Sequence, residues 1–204
     1  MTTTANELQS QACAQLEELF EQLAQVEGKA EILDGEIVAM SPTQPWPSEV
    51  AGEIYVSLRS HAKATGIGRA VTDGAIFRVS LPHRSSFTPD TAFHTGSMQP
   101  MRYYDGAPVF AVEVRSTGDY GPKAERQIMK KRDDYFACGT LVVWDVDLKS
   151  HDVVKSYRAS NPDEPTIYRP GDLAVAESAL PGWSIAVNDF LPPGWEPTLM
   201  AALD

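Results

Sequence analysis

The chain has 204 residues, 43% of them hydrophobic, and a formal net charge of −11, with a pI of about 4.8. That is enough apolar material for one well-cored domain, and no run approaches the roughly 18 apolar residues of a membrane span. Proteins that grip phosphates over a broad face are usually basic. Here the longest basic run is KKR at 130–132, so any nucleic-acid contact must be a local patch working against the overall field.

The opening MTTTANELQS has no basic stretch followed by an apolar one, so no secretory signal is read there. Cys13 and Cys138 make neither a disulfide framework nor a metal spacing. They fit reduced thiols, and a cytoplasmic location is expected. Residues 7–26 are rich in helix formers, with Leu16, Leu19, Phe20 and Leu23 on one stripe. This helix is read as an extension over 1–28, ahead of a single domain over 29–204. KAEILDGEIVAM (29–40) reads as a hairpin turning at Asp34-Gly35. SPTQPWP (41–47), with three prolines, reads as irregular. Ser48 is the expected cap of a helix running to about Ala64. On that helix His61 shares the apolar face of Val50, Ile54 and Leu58 and reads as a core-edge histidine. Glu49 reads as solvated, and Glu53 stays open as a group that could reach a site.

GRAVTDGAIFRVS, TPDTAFHTG and APVFAVEVRS then read as three strands. Pro122 suits a helix's first turn and Gly139 its end. TLVVWDVD (140–147) is a further buried strand; HDVVKSYRAS and PTIYRPGD form an added hairpin; the proline-rich tail reads as irregular. The core order is helix, three strands, helix, strand, an α/β layer arrangement. The helix after EVRS is a crossover, so strands 109–115 and 140–146 are expected to be parallel neighbours.

The strand APVFAVEVRS poses the chemical question. Side chains alternate along a strand, so Ala111, Glu113 and Arg115 share one face of a core strand. On the helix that follows, Ala124, Ile128, Lys131, Tyr135 and Cys138 recur at helical spacing, which turns Lys131 towards the sheet. A buried ammonium needs a carboxylate, and Glu113 is the nearest candidate in sequence. Asp90, after Pro89, approaches Glu113 if their strands pair. Two close carboxylates repel, and a Mg²⁺ ion resolves the repulsion. Simpler readings exist: Asp90 as a turn residue, Glu113–Lys131 as a structural ion pair, and the acidic DVD (145–147) as a solvated strand end. No GxSxG or HExxH is present, and His83, His94 and His151 have no ligand spacing.

Asp90 in PD, Glu113 in EVRS, Lys131 in KRDDYFACGTLVVWDVD and the stretch LDGEIVAMSP (33–42) together resemble the bacterial Uma-two family, described as restriction endonucleases of the PD-(D/E)XK superfamily. The resemblance covers roughly residues 30 to 190. It implies a restriction endonuclease-like core and metal-dependent hydrolysis of phosphodiesters in nucleic acid, DNA before RNA. It implies Mg²⁺ or Mn²⁺ held by Asp90 and Glu113, with Lys131 assisting the attacking water, and it allows a homodimer. The superfamily's basic residue, two after the second carboxylate, is Arg115 here, which suits a phosphate or carboxylate contact. The lysine stands instead on the following helix. A histidine common in the family aligns with Pro47. The alternative is an inactive nuclease fold used for binding or assembly, because fold does not fix function.

Overall fold

The computed structural model describes residues 5–196; the two ends of the expected domain limits, 1–4 and 197–204, lie outside it. The chain opens with α1 (Ala5–Leu23), then β1 (Ala30–Leu33) and β2 (Glu36–Ala39). These two strands form the expected hairpin. Its two-residue turn holds Asp34 at φ 50° and Gly35 at φ 77°, both positive, as this tight hairpin turn requires. Next come α2 (Pro45–Thr65), β3 (Arg69–Thr72), β4 (Phe77–Leu81), β5 (Arg84–Phe87) and β6 (Thr91–His94). After β7 (Met98–Gln99) and β8 (Tyr103–Asp105), β9 (Phe110–Val114) leads through α3 (Pro122–Ala137) to β10 (Val142–Val146). The chain closes with β11 (Val154–Arg158), β12 (Asn161–Tyr168), β13 (Leu173–Val175), β14 (Ser184–Ala186) and α4 (Val187–Phe190).

One six-stranded sheet has the order β12-β11-β10-β9-β6-β3. Within it β9 and β10 run parallel, joined by α3, while β6 and β9 run antiparallel. Its α2, β3, β6, β9, α3, β10 sequence is the expected helix, three strands, helix, strand, and β11–β12 is the added hairpin. A second six-stranded sheet, β2-β1-β5-β4-β8-β7, gathers the N-terminal hairpin with two excursions of the chain.

Three expectations change. GRAVTDGAIFRVS is two strands in different sheets. The chain breaks at Asp73-Gly74, where Gly74 takes φ 82°, and apolar pattern alone cannot say which sheet a strand joins. Pro45, Trp46 and Pro47 are not irregular; α2 begins at Pro45, with Gln44 at the cap position and no side-chain capping bond, so the expected cap Ser48 lies inside the helix. First-turn N–H groups have no helical acceptor, so proline is tolerated there. The region after β12 is not irregular either: β13 and β14 pair antiparallel beneath α4.

The central sheet has two coated faces. On one, Val50, Ala51, Ile54 and Leu58 of α2 pack onto Phe110, Val112, Val114 and Trp144. On the other, Tyr135 of α3 packs with Ala92, Ala111 and Val143, and with Phe77 and Phe87 from the second sheet. The alternation along β9 therefore sends Glu113 to the α3 face. Phe20 and Leu23 of α1 are buried against Ala30, Ile32 and Tyr103. Each such fully buried side chain contributes about 1.5–3 kcal/mol, which fastens the β1–β2 hairpin in place beside the α3 face.

Candidate active site

The register of β6 on β9 pairs Thr91 with Val112, and Asp90 N donates to Val112 O at 3.2 Å. Asp90, the residue before β6, thus sits at the end of the β6–β9 ladder, close enough for its charge to act on the Glu113 carboxyl. Asp90 Oδ2 accepts from Val114 N at 2.7 Å, so the carboxylate is tied to the strand that carries Glu113. Both line a cleft of about 700 Å³, together with Lys29, Arg115, Lys131 and Tyr135. Asp90, Glu113 and Lys131, singled out from sequence, thus converge.

Each carboxylate has its own ammonium. Lys131 Nζ lies 2.9 Å from Glu113 Oε1 and 2.9 Å from Glu31 Oε1. Lys29 Nζ lies 2.5 Å from Asp90 Oδ1 and 2.9 Å from Asp73 Oδ1. Tyr135 donates its hydroxyl to Glu113 Oε1 at 2.6 Å. Glu31 also accepts from Arg84 and from Thr88 N at 3.0 Å. Arg84 continues to Asp134 at 2.8 Å, and Asp134 meets His83 Nε2 at 2.7 Å. The result is a chain of alternating charge from the cleft to the rim.

Burial sets the acidities, with neighbouring charge acting for or against it. Burial pushes the Glu113 carboxyl up, and the charges of Asp90 and Glu31 add to that, against the pull of Lys131. Burial would raise Glu31 too, but Lys131 and Arg84 outweigh it and its carboxyl is held below the usual range. Lys131 is depressed by burial yet raised on balance by Glu113 and Glu31, so the ammonium form is favoured. Lys29 is likewise raised, with the charges of Asp90 and Glu113 overcoming its burial. The Tyr135 hydroxyl is pushed well up by burial and by the adjacent Glu113 charge and stays a donor.

Arg115 lines the same cleft, but its donors are committed. Nε and one Nη bond Asp145 at 2.7 and 2.6 Å, and Glu125 takes the rest. Asp145 is the register partner of Glu113 on β10; it is buried, not a solvated strand end. Asp147 is buried too, accepting from Tyr120 Oη at 2.8 Å. Glu49 and Glu53 are exposed on α2, which coats the opposite face of the sheet, and neither lines the cleft. His61 sits edge-on to Phe93 at 6.0 Å, the core-edge place expected of it.

Sequence reasoning missed Lys29 and Glu31. Their signal was the alternation in KAEI, where Lys29 and Glu31 share one face and Ala30 and Ile32 the other. A charged face on a hairpin strand reads as solvent-exposed until a helix is known to cover it. Among the described residues no group of three or more His, Cys, Asp or Glu side chains is arranged to hold a metal ion.

A central mixed sheet with α2 on one face, α3 on the other and a cleft where β6 begins and β9 ends is an α/β fold shared with a nuclease-like structure. A solved structure from Anabaena variabilis ATCC 29413, described as "a putative nuclease belonging to DUF820", matches with a TM-score of 0.65 and 18% identity, over 84% of this chain and 96% of that one. The chain belongs to the Uma2 family, whose model, described as "Putative restriction endonuclease", matches residues 16–188. No curated protein matches significantly. No helix among the described residues is long and apolar enough to cross a membrane.

Proposed function

We propose that this protein is a Mg²⁺- or Mn²⁺-dependent nuclease that hydrolyses phosphodiester bonds in nucleic acid, DNA before RNA. The observation that carries the reading is that Asp90, the residue before β6, and Glu113 of β9 line one cleft with Lys131, the Asp90 carboxylate being bonded to the β9 backbone. The donor set fits the ion. Two hard carboxylate oxygens suit Mg²⁺, which keeps several waters and commonly takes only one or two carboxylates plus substrate phosphates. Such an ion would orient a water and neutralise charge developing on the phosphate.

The chain's own groups do the rest. Lys131, held between Glu113 and Glu31, offers ammonium hydrogens at a fixed point beside the reacting phosphate, and pre-set donors of this kind stabilise developing negative charge. Tyr135 holds Glu113 in orientation. Lys29 is the ion-pair partner of Asp90. Arg115 orders the cleft wall through Asp145; for it to contact a phosphate, the largely exposed Glu125 must release it.

A second reading rests on the pairing itself. Each carboxylate already has an ammonium partner, so the cluster is balanced without a metal, as an inactive binding or assembly module would need. A cleavage assay on single-stranded and duplex DNA and on RNA, with Mg²⁺, Mn²⁺ or EDTA, compares wild type with Glu113→Ala. Metal-dependent cleavage lost in the variant supports the nuclease. Binding without cleavage by folded wild type supports the module.

A further inference from the structure

Arg132 stands out among the cations of the cleft. Its neighbours Lys29, Lys131 and Arg115 all hold carboxylates. Arg132 lines the same cleft, yet among the described residues it has no ion-pair or hydrogen-bond partner, and its Nε is buried without one. Buried donors are nearly always satisfied, and an exception calls for a missing partner. What does hold Arg132 is a ring. Its guanidinium carbon lies 3.7 Å from the centroid of Tyr157, a residue of β11 whose register partner is Val143 of the central sheet. Stacking fixes the plane of the guanidinium and leaves its in-plane N–H groups as the free valence.

The nearby carboxylates do not compete for it. Glu125 lies within the field of Arg132 but is bonded to Arg115, and Asp145 is held by the same arginine. Both carboxylates turn their oxygens to Arg115, so Arg132 balances their charge at a distance while its own N–H groups stay unbonded. One residue before it on α3 is Lys131, so the free cation sits beside the group that faces the reacting bond.

We propose that Arg132, laid flat on Tyr157, is the docking group for a backbone phosphate of the substrate strand. This deepens the nuclease reading and rests on it. A planar guanidinium takes two oxygens of one phosphate at once. Phosphate contacts place a strand without reading its sequence, and a single docked phosphate serves single-stranded DNA, duplex DNA and RNA alike. It also suggests how a chain of net charge −11 can hold a polyanion: one arginine with uncommitted donors inside a cleft acts locally where a broad basic face is lacking.

The test is fluorescence anisotropy of labelled 20-nucleotide DNA, single-stranded and duplex, and of the matching RNA. It is run with millimolar Ca²⁺ in place of Mg²⁺, across a salt series. Arg132→Met is expected to weaken binding roughly tenfold or more, irrespective of sequence, and to flatten the log K against log salt slope by about 0.9 on duplex and 0.7 on single strands, one phosphate's worth. Arg132→Lys keeps the charge and should keep the slope. Tyr157→Leu should lower affinity with the slope intact, since the cation remains but loses its platform. Unchanged melting temperatures exclude misfolding as the cause. Wild-type binding that Arg132→Met leaves unaltered in strength and slope overturns the assignment to Arg132 alone. Failure of the wild type to bind any of the oligonucleotides overturns both this proposal and the nuclease reading.

Discussion

Lys131 is the hinge of the charge cluster, because one ammonium holds two carboxylates that would otherwise face each other. Lys131→Met removes the bridge from buried Glu31 and half-buried Glu113. Breaking a buried pair by deleting one partner costs roughly 3–5 kcal/mol, and chemical denaturation of the variant should show a loss of that order. Adding Glu31→Gln to Lys131→Met should recover much of it, because the surviving carboxylates no longer repel across the gap; no recovery would mean that the ammonium acts through packing alone. Glu113 behaves in the opposite sense. Its folded pKa lies above the ordinary value of 4.5, so folding favours its neutral form. That contribution is present below pH 4.5 and is lost as pH rises through the folded pKa. Glu113→Gln keeps the oxygen that accepts from Tyr135 and cannot ionise. It should melt higher than wild type at pH 7, with the difference closing as pH falls towards 4.5. A gap that widens on acidification would reverse the sign assigned to Glu113.

The β1–β2 hairpin matters more to the site than its length suggests. It delivers Glu31 from its first strand and Lys29 from the residue just before it, and it is fastened by the α1 stripe on its outer side. Its turn needs positive φ at Gly35, where a Cβ meets no neighbour, so the strain of a substitution is purely conformational. Gly35→Ala should cost about 1 kcal/mol or somewhat more and should speed amide exchange in β1. Unchanged protection there would show that α1 and β5 hold the strand without the turn. On the opposite face of the sheet α2 begins with two prolines in its first turn. That start was read as irregular because proline was weighed as a helix breaker without regard to position.

Taken together, the protein is acidic, and four of its 17 lysines and arginines, Lys29, Arg115, Lys131 and Arg132, line one cleft. If Asp90 and Glu113 hold a divalent ion, millimolar Mg²⁺ or Mn²⁺ should raise the melting temperature. At an excess of 100-fold over Kd the gain is about 2.7 kcal/mol, or roughly 5–10 °C for a chain of this size. Asp90→Ala should abolish most of the shift. Lys29→Met should enlarge it, since the ammonium 2.5 Å from Asp90 Oδ1 competes with an ion for the same oxygen. Calorimetric scans with and without metal read both effects. A shift that survives Asp90→Ala would place the ion elsewhere.

The amino-acid sequence by itself determined the central layer and the three groups that meet there. Period-two alternation in APVFAVEVRS and helical spacing through Lys131 are local patterns, and a crossover helix admits little choice about which neighbours its strands acquire. Asp90 followed once its strand was taken as the partner of β9. Tertiary structure alone decided the rest. It split GRAVTDGAIFRVS between two sheets, brought Lys29 onto Asp90 from 61 residues away and Glu31 onto Lys131 from 100 residues away, bound Arg115 to Asp145 and Glu125, and left Arg132 without a bonded carboxylate among the described residues. A side chain's charge is written in the sequence, but its partner is set by which surfaces pack. Packing brings together residues distant along the chain, and no local period encodes that.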